Sequence, residues 1–279
     1  MNKEKVKQIL LENGATVKKH FGQNFLLDEN VLGNIVSFAD IKKNDVVIEI
    51  GPGLGFLTTY LSRSANKVIC YEIDSQMVNI LNDKKFPNVT IIEKDFLKVD
   101  LNESLKEYEN VILVANLPYY ITTPILLKVL EETKKINKMV VMMQKEVAQR
   151  LCGKPSTKDY NALSVLIQYF AEPKMLFNVK PTSFYPEPSV DSSVIEIKYK
   201  DKIENEALNL EYFLKFNRNI FAQRRKTLMN NITKSYKYDK ESILKIFDKL
   251  SLNYSVRSEM LEVSQIVDLA NEFYKTFEK

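Results

Sequence analysis

At 279 residues, with 45% hydrophobic and 27% charged residues, the chain matches one large domain, or one with a small appendage. This is the balance of a soluble globular protein and excludes a mainly disordered one. A net charge of +4, from 40 basic and 36 acidic residues, is too small to demand a nucleic-acid partner, so any such argument must rest on clustering. Two distant cysteines, Cys70 and Cys152, and a single histidine, His20, give neither a disulfide framework nor metal-ligand spacing. That usage fits a reducing cytosol. No apolar run approaches a membrane span, and the charged segment Met1–Glu12 lacks the apolar core of a secretory signal. A cytoplasmic protein without a metal is expected.

Along the chain, a short polar helix is expected within Met1–Lys19, then a loop over Phe21–Leu26. Asp28 can cap a helix reaching about Ala39. Val46–Ile50 is a β-branched run ending in glycines and reads as a buried strand. Leu54–Ser64 has helical spacing, Val68–Tyr71 is a second strand, and Asp74 can cap the next helix. Strands follow at Val89–Ile92, Val111–Val114 and Met139–Met143, with helices from Pro124 to about Leu130 and from Asn161 to Phe170. Strands alternating with helices predict a parallel, Rossmann-like α/β sheet covered on both faces. Met175–Val179 and Ser193–Tyr199 are expected to pair antiparallel at its edge. Beyond Lys200 the chain has no Gly and no Pro and reads as several short helices. The expected division is therefore residues 1–200, an α/β domain, and 201–279, a small helical domain.

Four motifs carry chemistry. Glu49-Ile50-Gly51-Pro52-Gly53-Leu54-Gly55 follows the first long strand, where glycines permit a tight turn and close ligand approach. Glu72 ends the next strand, placed to accept both hydroxyls of a ribose. Together they indicate an adenosine-containing cofactor. A dinucleotide turn would carry its third glycine at position 56, where this chain has Phe56. That disfavours a pyrophosphate, and with it a nicotinamide dehydrogenase. Asp95 can accept from an adenine amine with Phe96 packed beside the ring, or simply cap a helix. The most specific signal is Asn116-Leu117-Pro118-Tyr119-Tyr120 after the fourth strand. An aryl amine is a poor nucleophile because its lone pair is delocalised into the ring. The Asn116 side-chain carbonyl and the Leu117 backbone carbonyl can accept its two hydrogens and turn the lone pair toward a methyl group. Pro118 stiffens the loop, and Tyr119 offers a face to a base. Phe184, in Phe184-Tyr185-Pro186-Glu187-Pro188, can supply the opposite wall or belong to a rigid edge turn. Stacking on such a wall is worth about 1–3 kcal/mol. Finally, Tyr212–Tyr238 holds seven basic residues and no acid, densest at Arg224-Arg225-Lys226, and can contact phosphates.

These motifs make the chain resemble the bacterial dimethyladenosine transferases of small-subunit ribosomal RNA, the KsgA or RsmA family. The likeness runs from about Phe21 to the C-terminus. It includes Gly22-Gln23-Asn24-Phe25-Leu26, the glycine turn, Asn116 through Ile125, Pro188 through Val194, and Gln223 through Leu228. The resemblance implies a Rossmann-like catalytic domain with a small helical C-terminal domain. It implies methyl transfer from S-adenosyl-L-methionine to two neighbouring adenines near the 3′ end of 16S RNA, in ribosome biogenesis. Asn24, Leu26, Gly51, Glu72, Asp95 and Asn116 are then expected in the cofactor pocket, with Gln23, Gly53, Ile73 and Phe96 counted among them. Asn116, Leu117, Pro118, Tyr119 and Phe184 are expected at the transfer site, with Tyr119 and Phe184 flanking the target base. The expected substrate is small-subunit ribosomal RNA, within a small subunit or its precursor, met by a monomer.

Asn161 stands where many relatives have glycine, and His20-Phe21 replaces a commoner Arg-Leu or Arg-Phe pair; neither touches the chemistry. Two rivals remain. The macrolide-resistance enzymes of large-subunit RNA usually carry Asn-Ile-Pro-Tyr-Asn and Gly-Pro-Gly-Lys-Gly, against Leu117, Tyr120 and Leu54 here. A non-catalytic ribosome-assembly factor would not need the intact Asn116–Tyr119 loop or Glu72.

Overall fold

The computed structural model describes residues 2–18 and 21–278. His20, expected beside an RNA or cofactor surface, lies outside the described residues. In chain order the elements are α1 (Lys3–Glu12), β1 (Phe25–Leu26), α2 (Glu29–Ala39), β2 (Val46–Ile50), α3 (Phe56–Ser64), β3 (Lys67–Glu72), α4 (Ser75–Asp83), β4 (Val89–Glu93), α5 (Leu101–Ser104), β5 (Val111–Asn116), α6 (Thr122–Glu132), β6 (Ile136–Gln144), α7 (Lys145–Leu151), α8 (Ala162–Phe170), β7 (Ala171–Val179), β8 (Phe184–Tyr185), β9 (Ser192–Tyr199), α9 (Leu210–Ile220), α10 (Leu228–Ser235), α11 (Lys240–Lys249) and α12 (Val263–Phe277).

The chain forms two compact units, Met1–Ala148 with Lys174–Tyr199, and Gln149–Pro173 with Lys200–Lys279. The first holds a seven-stranded sheet of order β4-β3-β2-β5-β6-β9-β7. Strands β2 to β6 pair in parallel, and β9 runs antiparallel to β6. All five residues of β2 and all but the last of β5 are buried, which is why these strands read as unbroken apolar runs. At the edge, β4 is less buried. The expected late pair is present at the sheet edge as the neighbours β9 and β7, with β7 outermost. The helices begin where their caps stand. Asp28 accepts from the amides of Asn30 and Val31, and Asp74 from Gln76. Phe25 and Leu26, expected in a loop, form β1, which pairs with β8 (Phe25↔Tyr185, Leu26↔Phe184). A two-residue strand has no periodicity to detect. Its partner, about 160 residues away, defines it.

In the second unit, Phe213, Phe216, Phe247 and Phe273 form a core with Tyr160, Val165 and Tyr169. The expected single boundary at 201 thus needs correcting. Residues 149–173 pack with the C-terminal helices, because their large apolar side chains are buried there. The Asn217 amide donates to the Ala162 carbonyl (2.8 Å) and the Tyr160 hydroxyl to the Leu261 carbonyl (3.0 Å). Asn161 and Ser164 form a capping box at the start of α8. Asn161 thus has a structural role.

Among the described residues, no helix is long and apolar enough to cross a membrane. None of their His, Cys, Asp and Glu side chains group in a way that could hold a metal ion.

Candidate active site

From β2 the chain winds outward through β3 and β4, then returns to the other side of β2 for β5 and β6. The sheet order therefore reverses between β2 and β5. In an open parallel sheet the crevice outside the strand ends at such a point is the natural ligand site. A cavity of about 310 Å³ lies there, within the first unit, walled by the segment leading into β1 and by residues following β2 through β5. Its size suits a small-molecule site.

The register Ile50↔Tyr71 sets the ends of β2 and β3 side by side, so the glycine turn and Glu72 face one another. The Gly53 amide donates to Glu72 Oε2 (3.1 Å), and the amides of Ile73 and Asp74 donate to Oε1 (2.8 and 2.9 Å). Gly53 has φ +55°, and a Cβ there would sit 3.0 Å from the Phe25 ring. Glycine is required both for the backbone conformation and for the space. Burial pushes the Glu72 carboxyl above its ordinary pKa, opposed by those three amides. A carboxylate offers about four acceptor sites, so capacity remains for a ribose diol.

Glu49, almost fully buried beneath the turn, accepts from the Thr58 hydroxyl (2.6 Å) and has the Cys70 thiol at 3.5 Å. Burial raises its pKa to about 7, against the Thr58 and Cys70 hydrogen bonds. Asp74 is more than a helix cap. It takes the Lys18 ammonium on Oδ1 (2.7 Å) and the Gln23 amide on Oδ2 (2.8 Å). Gln23 Oε1 in turn accepts from the Lys18 amide (2.7 Å). Both ends of the Gln23 side chain are thereby committed to fixing its own segment against the pocket. An acid two residues beyond Glu72 was the one sequence signal for this anchor.

Just beyond β4, which pairs with β3, Asp95 Oδ1 accepts from the Leu97 amide (3.0 Å), so the cap reading holds, and among the described residues its second oxygen takes no protein donor. Phe96 is buried edge-on against Tyr71 (centroids 5.4 Å apart), and Ile73 is exposed at the rim.

The transfer loop leaves the end of β5. The Leu117 amide donates to the Met142 carbonyl (3.0 Å), and the Pro118 carbonyl accepts from the Ile121 amide and the Thr122 hydroxyl (3.2 and 3.0 Å). Asn116 Nδ2 donates to the Asn24 carbonyl (3.1 Å). One N–H of the amide is so committed, which orients the side chain and leaves Oδ1 as an acceptor for a ligand. Among the described residues no protein donor reaches the Leu117 carbonyl oxygen. The Tyr119 hydroxyl meets Ser192 Oγ at 2.6 Å. Sequence reasoning did not single out Tyr120 as a site residue, yet it is 55% exposed beside the pocket, close over Gly22.

The pocket gathers Gln23, Asn24, Leu26, Gly51, Gly53, Glu72, Ile73, Asp95 and Phe96, together with the loop Asn116–Tyr119. Phe184 is not among its walls. It is fully buried in the core and paired with Leu26, which does line the pocket. Along β8 side chains alternate, and the apolar ring takes the inward position while Tyr185 is half-buried. Phe184, expected to flank a base, is thus not exposed to this pocket. Arg224, Arg225 and Lys226 belong to the second unit, in an exposed turn between α9 and α10. Arg224 contacts the Thr157 carbonyl (3.3 Å) and Glu259 (3.8 Å).

Comparison with known proteins adds a second line of argument. Residues 14–274 match the family model described as ribosomal RNA adenine dimethylase. The chain is 44% identical over 276 residues to ribosomal RNA small subunit methyltransferase A of Bacillus cytotoxicus, covering 96% of this chain and 94% of that protein. The figures are the same for the Bacillus mycoides protein of that name. Among solved structures it is similar to a dimethyladenosine transferase from Plasmodium falciparum, at 27% identity and TM-score 0.77, over 90% of this chain and 98% of that one. The 23S rRNA methyltransferase ErmE, at 24% identity and TM-score 0.69, over 89% and 98% of the two chains, shares the fold.

Proposed function

The chain belongs to the ribosomal RNA adenine dimethylase family, and from that premise we propose that it dimethylates the exocyclic amines of two adjacent adenosines near the 3′ end of 16S RNA. The methyl donor is S-adenosyl-L-methionine, which supplies an electrophilic methyl on a sulfonium. The fit rests on the pocket's own groups. Glu72 has acceptor capacity for the ribose hydroxyls, Asp95 has an oxygen for the adenine amine, and Ile73 and Phe96 give apolar surface beside it. The turn at Gly51–Gly55 approaches closely without the third glycine of a pyrophosphate site.

The observation that supports the reading best is the hydrogen bond of Asn116 Nδ2 to Asn24, beside a Leu117 carbonyl that no protein donor reaches among the described residues. Two acceptors stand ready for the two hydrogens of an aryl amine. Accepting them turns the nitrogen lone pair out of the ring plane. As the nitrogen attacks, it gains positive charge, which both carbonyl dipoles stabilise. The nitrogen becomes acidic once methylated, so its proton passes to water without a strong protein base. Tyr119 holds one face of the base. The loop is fixed to β6 through Leu117, so little reorganisation is needed.

Arg224, Arg225 and Lys226 are assigned to phosphate contact, in keeping with their exposure. The substrate is placed within a small ribosomal subunit or its precursor, met in the cytoplasm by a monomer. Incubating the protein with labelled cofactor and each ribosomal subunit, then mapping modified bases, tests the whole reading. Label on paired adenines of the small subunit is expected. Label confined to the large subunit would overturn it.

A further inference from the structure

We propose that Ser192 is a positioning residue for methyl transfer, acting through the ring of Tyr119; the proposal rests on the function given above. Ser192 is the first residue of β9 and is fully buried. It does not line the pocket. Its hydroxyl meets the Tyr119 hydroxyl at 2.6 Å, across 73 residues of sequence. Tyr119 is half-buried and faces the pocket, so its ring is held at the end away from the backbone by a group outside the ligand's reach.

The frame around this contact is stiff. Ser192 is paired with Gln144 at the end of β6, and Val194 with Met142. Met142 is also the residue whose carbonyl takes the Leu117 amide. The transfer loop is thus tied to the β6–β9 ladder twice, by backbone at Leu117 and by side chain at Tyr119. A phenol ring fixed only at Cβ can swing about χ1 and χ2, whereas a bonded hydroxyl selects one orientation. A base stacked on a fixed ring presents its amine to Asn116 and Leu117 at one angle, and transfer depends steeply on that angle. Alanine would fill the serine position in a buried strand by packing alone, and the hydrogen bond that the hydroxyl adds here is the one to Tyr119.

The test is single-turnover methylation of small ribosomal subunits by the parent, Ser192→Ala, Tyr119→Phe and the double variant, with saturating cofactor. Cofactor affinity is measured by calorimetry alongside. Each single variant should lose roughly three- to tenfold in rate, the cost of one net hydrogen bond. The double variant should be no slower than either single one, because both remove the same contact. Cofactor affinity should stay at the parent value, which general damage to the fold would not allow. Tyr119→Phe keeps the ring and leaves β9 untouched, so it carries the test if Ser192→Ala is poorly folded. Parent-like rates in Tyr119→Phe, or losses that multiply in the double variant, would overturn the proposal. A parent that methylates no small subunit would instead overturn the substrate assignment, and the proposal with it.

Discussion

The two ends of the pocket are built on opposite plans. At the glycine end the functional acceptor is already engaged. Glu72 takes three backbone amides, and Asp74 beside it takes Lys18 and Gln23. At the loop end one N–H of Asn116 is engaged, by the Asn24 carbonyl, and among the described residues the acceptors Asn116 Oδ1 and the Leu117 carbonyl take no protein donor. Under the proposed function, the difference matches what each end would have to do. A carboxylate in a buried site needs partners to stay charged, and those partners also fix it for ribose recognition. An acceptor whose task is to direct an amine in a transition state must reach that state without first releasing a protein donor. Binding is preorganised by filling hydrogen bonds, transfer by withholding them.

The sharpest way to break this comparison is Asn116→Ala. Loss of one preorganised polar group costs about 100- to 1,000-fold in turnover in well-studied cases, and a loss of that order is expected here. It should fall on kcat, with cofactor affinity lowered far less. Single-turnover methylation at the parent's rate by a folded variant would show that the loop does not activate the amine.

The glycine end carries a pH signature of its own. The Glu49 carboxyl titrates at about 7 in the folded protein, above the ordinary 4.5. Between those values the folded state binds the extra proton. The stabilisation it contributes is therefore complete below pH 4.5 and lost as pH rises through 7, on the order of 3 kcal/mol in all. Denaturant unfolding of Glu49→Gln against the parent, from pH 4.5 to 8, should reveal a fall in stability that is steeper in the parent, the raised Glu72 carboxyl contributing to both. Parallel pH profiles would mean that Glu49 is not the group.

Glu72→Ala should weaken cofactor binding about ten- to a hundredfold, the range for hydrogen bonds to a charged group. Its rate at saturating cofactor should change less than that of Asn116→Ala. Calorimetry and saturation kinetics together would expose a reversal of that order, which would erase the division between the two ends. The smallest effect is expected outside the pocket. Replacing Arg224 and Arg225 by alanine should lower the salt slope of RNA binding by about two, since two fewer phosphates are neutralised. Cofactor affinity should not move. An unchanged slope in a filter-binding titration would leave Arg224 with its contacts to Thr157 and Glu259 as a structural residue.

Sequence alone determined the parts in which local chemistry has one solution. Val46–Ile50 could only be a buried strand, and Asp28, Asp74 and Asp95 stand as caps where short polar side chains precede helical turns. Glu72 and the Asn116–Tyr119 loop could be expected in one pocket because strand ends in a parallel sheet converge on one edge, and they line one. Tertiary structure decided everything that depended on a distant partner. Residues 149–173 read as part of the α/β domain until Tyr160 and Tyr169 found the aromatic core of the C-terminal helices. Phe25 and Leu26 became a strand only against β8, and in that pairing Phe184 turned into the core instead of toward a base. The hydroxyl of Ser192 had no visible task until β9 brought it to Tyr119. Composition and spacing record which groups a segment offers. Which of two faces a side chain takes, and which group it meets, is settled by burial among residues far along the chain.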